Sequence, residues 1–99
     1  MTRNEAMVAI ERGREHLTAA GWAPSGEHRG GGYWFVCGRR GDRMDITLEY
    51  DNRWDATIRI GAHEVAHQWC EATGDVPELI AKTTSAARDV LTAQVEALR

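Results

Sequence analysis

Lysine, proline and cysteine are scarce in this sequence, and each scarcity narrows what the protein can be. Lys82 is the only lysine among twelve basic residues, a bias toward arginine that indicates a GC-rich genome, such as that of an actinobacterium or one of its phages. With only two prolines, most of the chain is free to form helices and strands. The two cysteines, Cys37 and Cys70, are too few to predict a disulfide-built scaffold.

Long apolar stretches and an excess of positive charge are also missing. The longest apolar run, residues 33–37, is far too short to cross a bilayer. The first seventeen residues are charged throughout and lack the apolar core of a secretory signal. We therefore expect a cytoplasmic protein with reduced thiols and no membrane partner. The net charge of −3 argues against nucleic acid as a partner.

What is present is the composition of one small folded unit. A length of 99 residues predicts a single domain with a small core. The chain is 42% hydrophobic and 27% charged, which excludes intrinsic disorder. Its four tryptophans are many for this length, and each must be covered by the core or by a partner.

Local patterns predict a helix at each end of the chain. Thr2 and Glu5 have the spacing of a capping box, and Gly21 is placed to end the helix that follows. Asp75 is the expected N-cap of a long C-terminal helix, with Pro77 in its first turn. Residues 23–32 are rich in glycine and turn formers and predict a linker.

Strict alternation of apolar and polar residues predicts strands at 44–50 and 54–60, after a shorter apolar strand at 33–37. Short turns between them indicate an antiparallel meander. The predicted fold class is α+β: a three-stranded, possibly four-stranded, antiparallel meander with an N-terminal helix and a long C-terminal helix packed on one face. A fourth strand depends on residues 62–73, whose spacing favours a helix but also fits a strand.

Within that ambiguous segment, residues 63–69 read HEVAHQW, which contains the pattern HExxH. This string resembles the zinc-site core of the gluzincin aminopeptidases. The resemblance implies that His63 and His67 are zinc ligands and that Glu64 is the general base. On a helix, side chains four residues apart share one side and can hold one metal ion. A third ligand of that family would fall at Ala86, which cannot bind zinc.

A second candidate site is the first predicted hairpin, where Tyr33 and Trp34 lie near Arg39 and Arg40. Aromatic and arginine side chains on a sheet face are typical of protein interfaces. The order of helices and strands also looks like that of a double-stranded-RNA-binding domain. However, the acidic residues Asp75 and Glu78 at the start of the last helix would repel phosphate.

These observations lead to one prediction and one alternative. We expect a non-enzymatic accessory protein that binds a protein partner or self-associates, with no cofactor. Tyr33, Trp34, Arg39 and Arg40 are its candidate interface residues. The alternative is a minimal zinc metallopeptidase that uses the HEVAH segment.

Overall fold

The computed structural model describes residues 1–98 and confirms the α+β class. Two helices flank five strands: α1 (Arg3–Ala19), β1 (Ala23–Gly30), β2 (Tyr33–Arg40), β3 (Met44–Tyr50), β4 (Arg53–Ile60), β5 (His63–Glu71) and α2 (Val76–Ala97). The strands form one antiparallel sheet in the order β1-β2-β3-β4-β5, so every strand pairs with its neighbours in sequence. The predicted meander is correct, but it has five strands rather than three or four.

Strand β1 replaces most of the predicted linker at 23–32. The pattern of this edge strand has no apolar alternation because ion pairs take the place of apolar contacts. Arg29 pairs with Glu11 of α1 and with Glu27, and Glu27 also pairs with Arg14 of α1. The triple glycine then forms the turn into β2, where Gly30, Gly31 and Gly32 all have positive φ, a conformation that other residues avoid.

Both helices pack on the same face of the sheet and form a single core with it. The side chains that face them alternate along the strands, as period-2 patterning requires. Trp22 follows α1 and folds back beneath it, because its backbone N–H donates to the carbonyl of Leu17 at 2.9 Å. The largest buried sheet residues are Trp34, Val36, Ile46, Leu48, Trp54 and Ile58.

The caps of both helices lie where the sequence predicts them. The Thr2 hydroxyl accepts from the Glu5 N–H at 3.1 Å, and the Asp75 carboxylate accepts from the Glu78 N–H at 3.0 Å. The last buried residue of α2 is Ala87, and beyond it the helix extends past the sheet. This extension makes the molecule elongated, at 51 × 24 × 23 Å. Neither helix within residues 1–98 is long and apolar enough to span a membrane.

Candidate functional site

The HEVAH segment lies on strand β5, so the prediction that favoured a helix over residues 62–73 is wrong. The strand forms one edge of the sheet and pairs antiparallel with β4. On this bulged strand Val65, Ala66 and Cys70 face the core, whereas Trp69 lies on the opposite face. Pairing with β4 selects the strand.

The strand geometry separates the two histidines. His67 lies opposite Thr57 and His63 lies opposite Ile60, with Val65 as an extra residue at a bulge between them. The bulge reverses the alternation, so His67 points away from the helices while His63 has the parity of helix-facing Ile60. Four residues of strand also span about 13 Å, far more than one zinc ion can bridge. The two imidazoles therefore cannot chelate one metal ion.

Glu64, the general base of the zinc hypothesis, lies on the same strand. Glu64 lies opposite Arg59 and forms an ion pair with it at 3.8 Å between Oε1 and Nη2. Its carboxylate thus has a cationic partner on the neighbouring strand. Among residues 1–98, no group of three potential ligands is close enough to hold a metal ion.

The more informative surface is the open face, by which we mean the side of the sheet opposite the two helices. Strand register places one residue from each strand in a line across the middle of this face. We call this line the central row; its members are His28, Phe35, Glu49, Asp55 and Trp69. Neighbouring strands lie about 4.8 Å apart, so the row spans roughly 19 Å. No element within residues 1–98 packs against it.

Aromatic side chains mark both ends of the central row. His28 and Phe35 stack with their ring centroids 5.6 Å apart, and Tyr33, one step along β2 on the same face, is 62% exposed. At the other end Trp69 is 52% exposed, and the Arg53 guanidinium lies 4.7 Å from the centre of its ring. Large aromatic groups thus lie in water on a face that the chain itself leaves bare.

The middle of the row is acidic. Asp55 accepts hydrogen bonds from Arg53 at 3.0 and 3.1 Å and from His67 Nε2 at 2.8 Å. Partial burial raises the pKa of Asp55, but the bonds from Arg53 and His67 outweigh it and hold the pKa below its usual value. Glu49 lies directly opposite Asp55 and has no ion-pair partner in the described chain. Like charges placed this way destabilise a sheet.

Two of the four predicted interface residues lie on this surface. Tyr33 is exposed there, and Arg39 forms an ion pair with Asp45 at 3.0 Å on the same face. Trp34 alternates inward and is only 6% exposed, so it belongs to the core and is not available to a partner. Arg40 also turns toward the helix layer.

The position of Arg40 explains its role. Its guanidinium lies 4.4 Å from the centre of the Trp22 ring and donates to the Ala20 carbonyl at 2.5 Å. A cation that satisfies the last carbonyls of a helix stabilises the end of that helix. Arg40 therefore closes the C-terminal end of α1 rather than lying on the open face.

Sequence reasoning missed most of the central row. The outward positions Glu49 and Asp55 follow from the alternation of their strands and could have been grouped by register. Trp69 required β5 to be recognised as a strand. His28 gave no signal, because β1 was predicted as a linker. Comparisons of the chain with models of known protein families, with curated proteins and with solved structures found no match.

Proposed function

We propose that this protein is a non-enzymatic interaction module, an accessory protein that docks a partner protein on the open face of its sheet. The observation that carries the proposal is a bare sheet face with exposed aromatic side chains, chiefly Tyr33 and Trp69. Aromatic side chains gathered on one bare face of a sheet favour a surface that a partner covers. The separated histidines of β5 remove the geometry that the zinc alternative needs.

The distribution of residue types on the open face supports the same proposal. Interfaces are enriched in tyrosine, tryptophan, phenylalanine and arginine relative to the rest of a protein surface. Here the aromatic groups of the central row and Tyr33 are flanked toward one end of the sheet by the ion pairs Arg39–Asp45 and Arg59–Glu64. These pairs are exposed, so they contribute little to folding stability and remain available to orient a partner.

The proposal is for a cytosolic role, as the sequence predicts. Cys37 and Cys70 are both free. Cys37 lies on the open face, where its Sγ is 3.6 Å from the Thr47 hydroxyl, whereas Cys70 packs against the core on the other side. Because the two thiols lie on opposite faces of the sheet, they cannot form a disulfide with each other.

Photo-crosslinking from defined positions tests the proposal. A photoreactive phenylalanine analogue would replace Tyr33 or Trp69 in cells that encode the protein. The matched control would carry it at Val95 on α2, which at 53% exposure resembles the 52% exposure of Trp69. We expect the two open-face positions to yield the same discrete adduct and the control to yield none. An adduct of twice the mass of the chain would identify the partner as a second copy.

A second measurement distinguishes specific docking on the open face from nonspecific binding. Tyr33→Ser and Trp69→Ser should each lose the captured protein while keeping the denaturation midpoint of the wild type. Val95→Ser should lose neither. Adducts that are identical from all three crosslinking positions, or no adduct from either open-face position, would contradict the proposal.

A further inference from the structure

A groove of about 640 Å³ lies in the helix layer, on the opposite side of the sheet from the open face. It runs between one flank of α1 and the loop that leads into α2. Its floor contains the half-buried Tyr50 and the buried Trp54, whose ring centroids are 4.9 Å apart at a tilt of 56°. The volume is that of a small-molecule site, and the location makes the groove independent of the proposed docking surface.

The walls of the groove have a defined chemistry. One wall is a flank of α1 on which Glu5, Val8, Arg12 and His16 follow one another at intervals of three or four residues, the spacing that places side chains side by side on a helix. Val8 is 52% exposed and gives this wall an apolar rim. The other wall is formed by the loop at 72–75 and the first two residues of α2.

The acidic groups of the groove are already engaged. Glu5 belongs to the capping box of α1 and accepts from the backbone N–H of Thr2 at 3.5 Å. Asp75 accepts from the backbone N–H of Glu78 and caps α2. The start of α2 is therefore occupied by a carboxylate of the chain itself, so it is not available to bind an anion.

The basic groups of the groove are not engaged. Arg12 and His16 make no side-chain hydrogen bond and no ion pair with any other residue in the range 1–98. They lie one helical turn apart on the same wall of the groove that Tyr50 and Trp54 also line. Arg12 therefore presents a positive charge with no carboxylate partner within residues 1–98, although the carboxylates of Glu5 and Asp75 lie on the same groove.

We propose that this groove binds a small aromatic monocarboxylate. The ring would lie against the half-buried Tyr50, which packs on the buried Trp54, because aromatic pairs favour offset or edge-to-face contact. The carboxylate would accept two parallel hydrogen bonds from the Arg12 guanidinium, with His16 beside it. A single negative charge fits better than a phosphate dianion, because Arg12 supplies one formal positive charge and the carboxylates of Glu5 and Asp75 on the same groove repel anions.

Titration of the protein with 3-phenylpropionate, followed by amide chemical shifts, tests the proposal. We expect saturable shifts confined to the α1 flank, Tyr50, Trp54 and residues 72–77, with a dissociation constant of about 1 mM or tighter. The neutral amide 3-phenylpropanamide should bind about ten-fold more weakly, since it lacks the charge that Arg12 recognises. Acetate, which lacks the ring, should cause no saturable shift.

Matched variants locate the binding determinant. Arg12→Gln should weaken binding of 3-phenylpropionate about ten-fold, whereas Arg88→Gln, which removes an exposed arginine of α2 outside the groove, should leave it unchanged. In a further titration, the affinity of a tetrapeptide with a C-terminal phenylalanine is compared with that of 3-phenylpropionate. Tighter binding of that peptide would identify a chain terminus as the source of the carboxylate, and weaker binding would identify a free acid.

Three results would overturn the proposal. The first is the absence of any saturable shift with 3-phenylpropionate up to about 10 mM. The second is equal binding of the acid and its amide. The third is unchanged binding by the Arg12→Gln variant in a protein whose amide spectrum shows that it is folded.

Discussion

At the scale of single residues, Gly38 shows how packing can require a glycine that looks like a turn residue. In the sequence it opens a glycine- and arginine-rich stretch and suggests a turn, yet it lies within β2 on the helix-facing side. A Cβ atom built there would lie 2.8 Å from the Cβ of Trp22 and 3.4 Å from the Cγ2 of Ile46. Trp22 cannot move away easily, because its backbone is bonded to α1 and Arg40 stacks on its ring.

Replacing Gly38 with alanine should therefore destabilise the fold. We expect Gly38→Ala to lower the free energy of unfolding by about 1–3 kcal/mol, the usual cost of overpacking a core. Gly26→Ala is the matched control, since a Cβ at Gly26 meets nothing within 4 Å. Urea denaturation of both variants checks the prediction. Equal midpoints for the two variants would show that the contact with Trp22 relaxes freely.

Asp55 leads to a prediction about how the free energy of unfolding depends on pH. We expect Asp55→Asn to lower the free energy of unfolding at neutral pH by about 1 kcal/mol, because the neutral amide weakens the bonds from Arg53 and His67. The pKa of Asp55 is depressed in the folded protein from an ordinary value of 3.8. Its contribution is thus fully present above that ordinary value and is lost as the pH falls through the lower, folded value.

Urea midpoints measured from neutral pH down to about pH 3 test this dependence. The gap between wild type and Asp55→Asn should narrow only in the most acidic part of the series. Asp45→Asn serves as the comparison, because Asp45 is more exposed and accepts a bond from Arg39 alone; its effect should be smaller. A gap of constant size at every pH would contradict the assignment.

At the scale of helices and strands, the predictions from sequence were correct where one local pattern determines the structure of a segment. The capping box at Thr2, the N-cap at Asp75 and the alternation in β3 and β4 all produce the structures that they indicate. β1 escaped prediction because Glu27 and Arg29 bind α1 through charge, which leaves no apolar pattern. β5 was misread because its bulge places the adjacent residues Val65 and Ala66 against the core, so two-residue alternation is lost.

The same limits explain which site residues were found. Tyr33 and Arg39 share the open face because they are separated by six residues of an unbroken strand. Trp34 and Arg40 each follow one of them directly and thus have the opposite parity. Composition pointed to all four, but only strand parity separates the two that are exposed from the two that contact the helix layer. The central row required the register of five strands, which single-strand patterns do not contain.

The strand conformation of β5 makes a prediction about zinc. Since His63 and His67 lie on opposite faces, we expect the wild type and His67→Ala to bind zinc with equal and weak affinity in calorimetric titrations. The His63→Ala variant should behave in the same way. A ten-fold or greater loss of affinity in either variant, the scale expected when part of a real site is removed, would contradict the strand geometry.

At the scale of the whole molecule, the four tryptophans report how the layers are arranged. Trp22, Trp34 and Trp54 lie between the helices and the sheet and are at most 6% exposed, whereas Trp69 is 52% exposed on the bare face. One of the four indoles is therefore in contact with solvent. This arrangement gives the two faces of the sheet different optical signatures.

Iodide quenching of tryptophan fluorescence tests that arrangement. We expect the wild type to show one accessible component and a larger protected one. Trp69→Phe should remove the accessible component, and Trp34→Phe should remove only protected intensity. Docking of a partner on the open face should shield Trp69 in the same assay. Accessible fluorescence that persists in Trp69→Phe would place another tryptophan at the surface.

The order of the strands has a consequence for how the chain reaches its fold. Each strand pairs with the one before it in sequence, α1 packs on the first three strands and α2 on the last two. Strands that pair with each other are therefore connected by short loops, and closing a short loop costs little entropy. Sheets with such local pairing cross their folding barrier faster than sheets built from distant segments. We thus expect rapid refolding for an antiparallel sheet, and only brief exposure of its edges β1 and β5 to other unfolded chains.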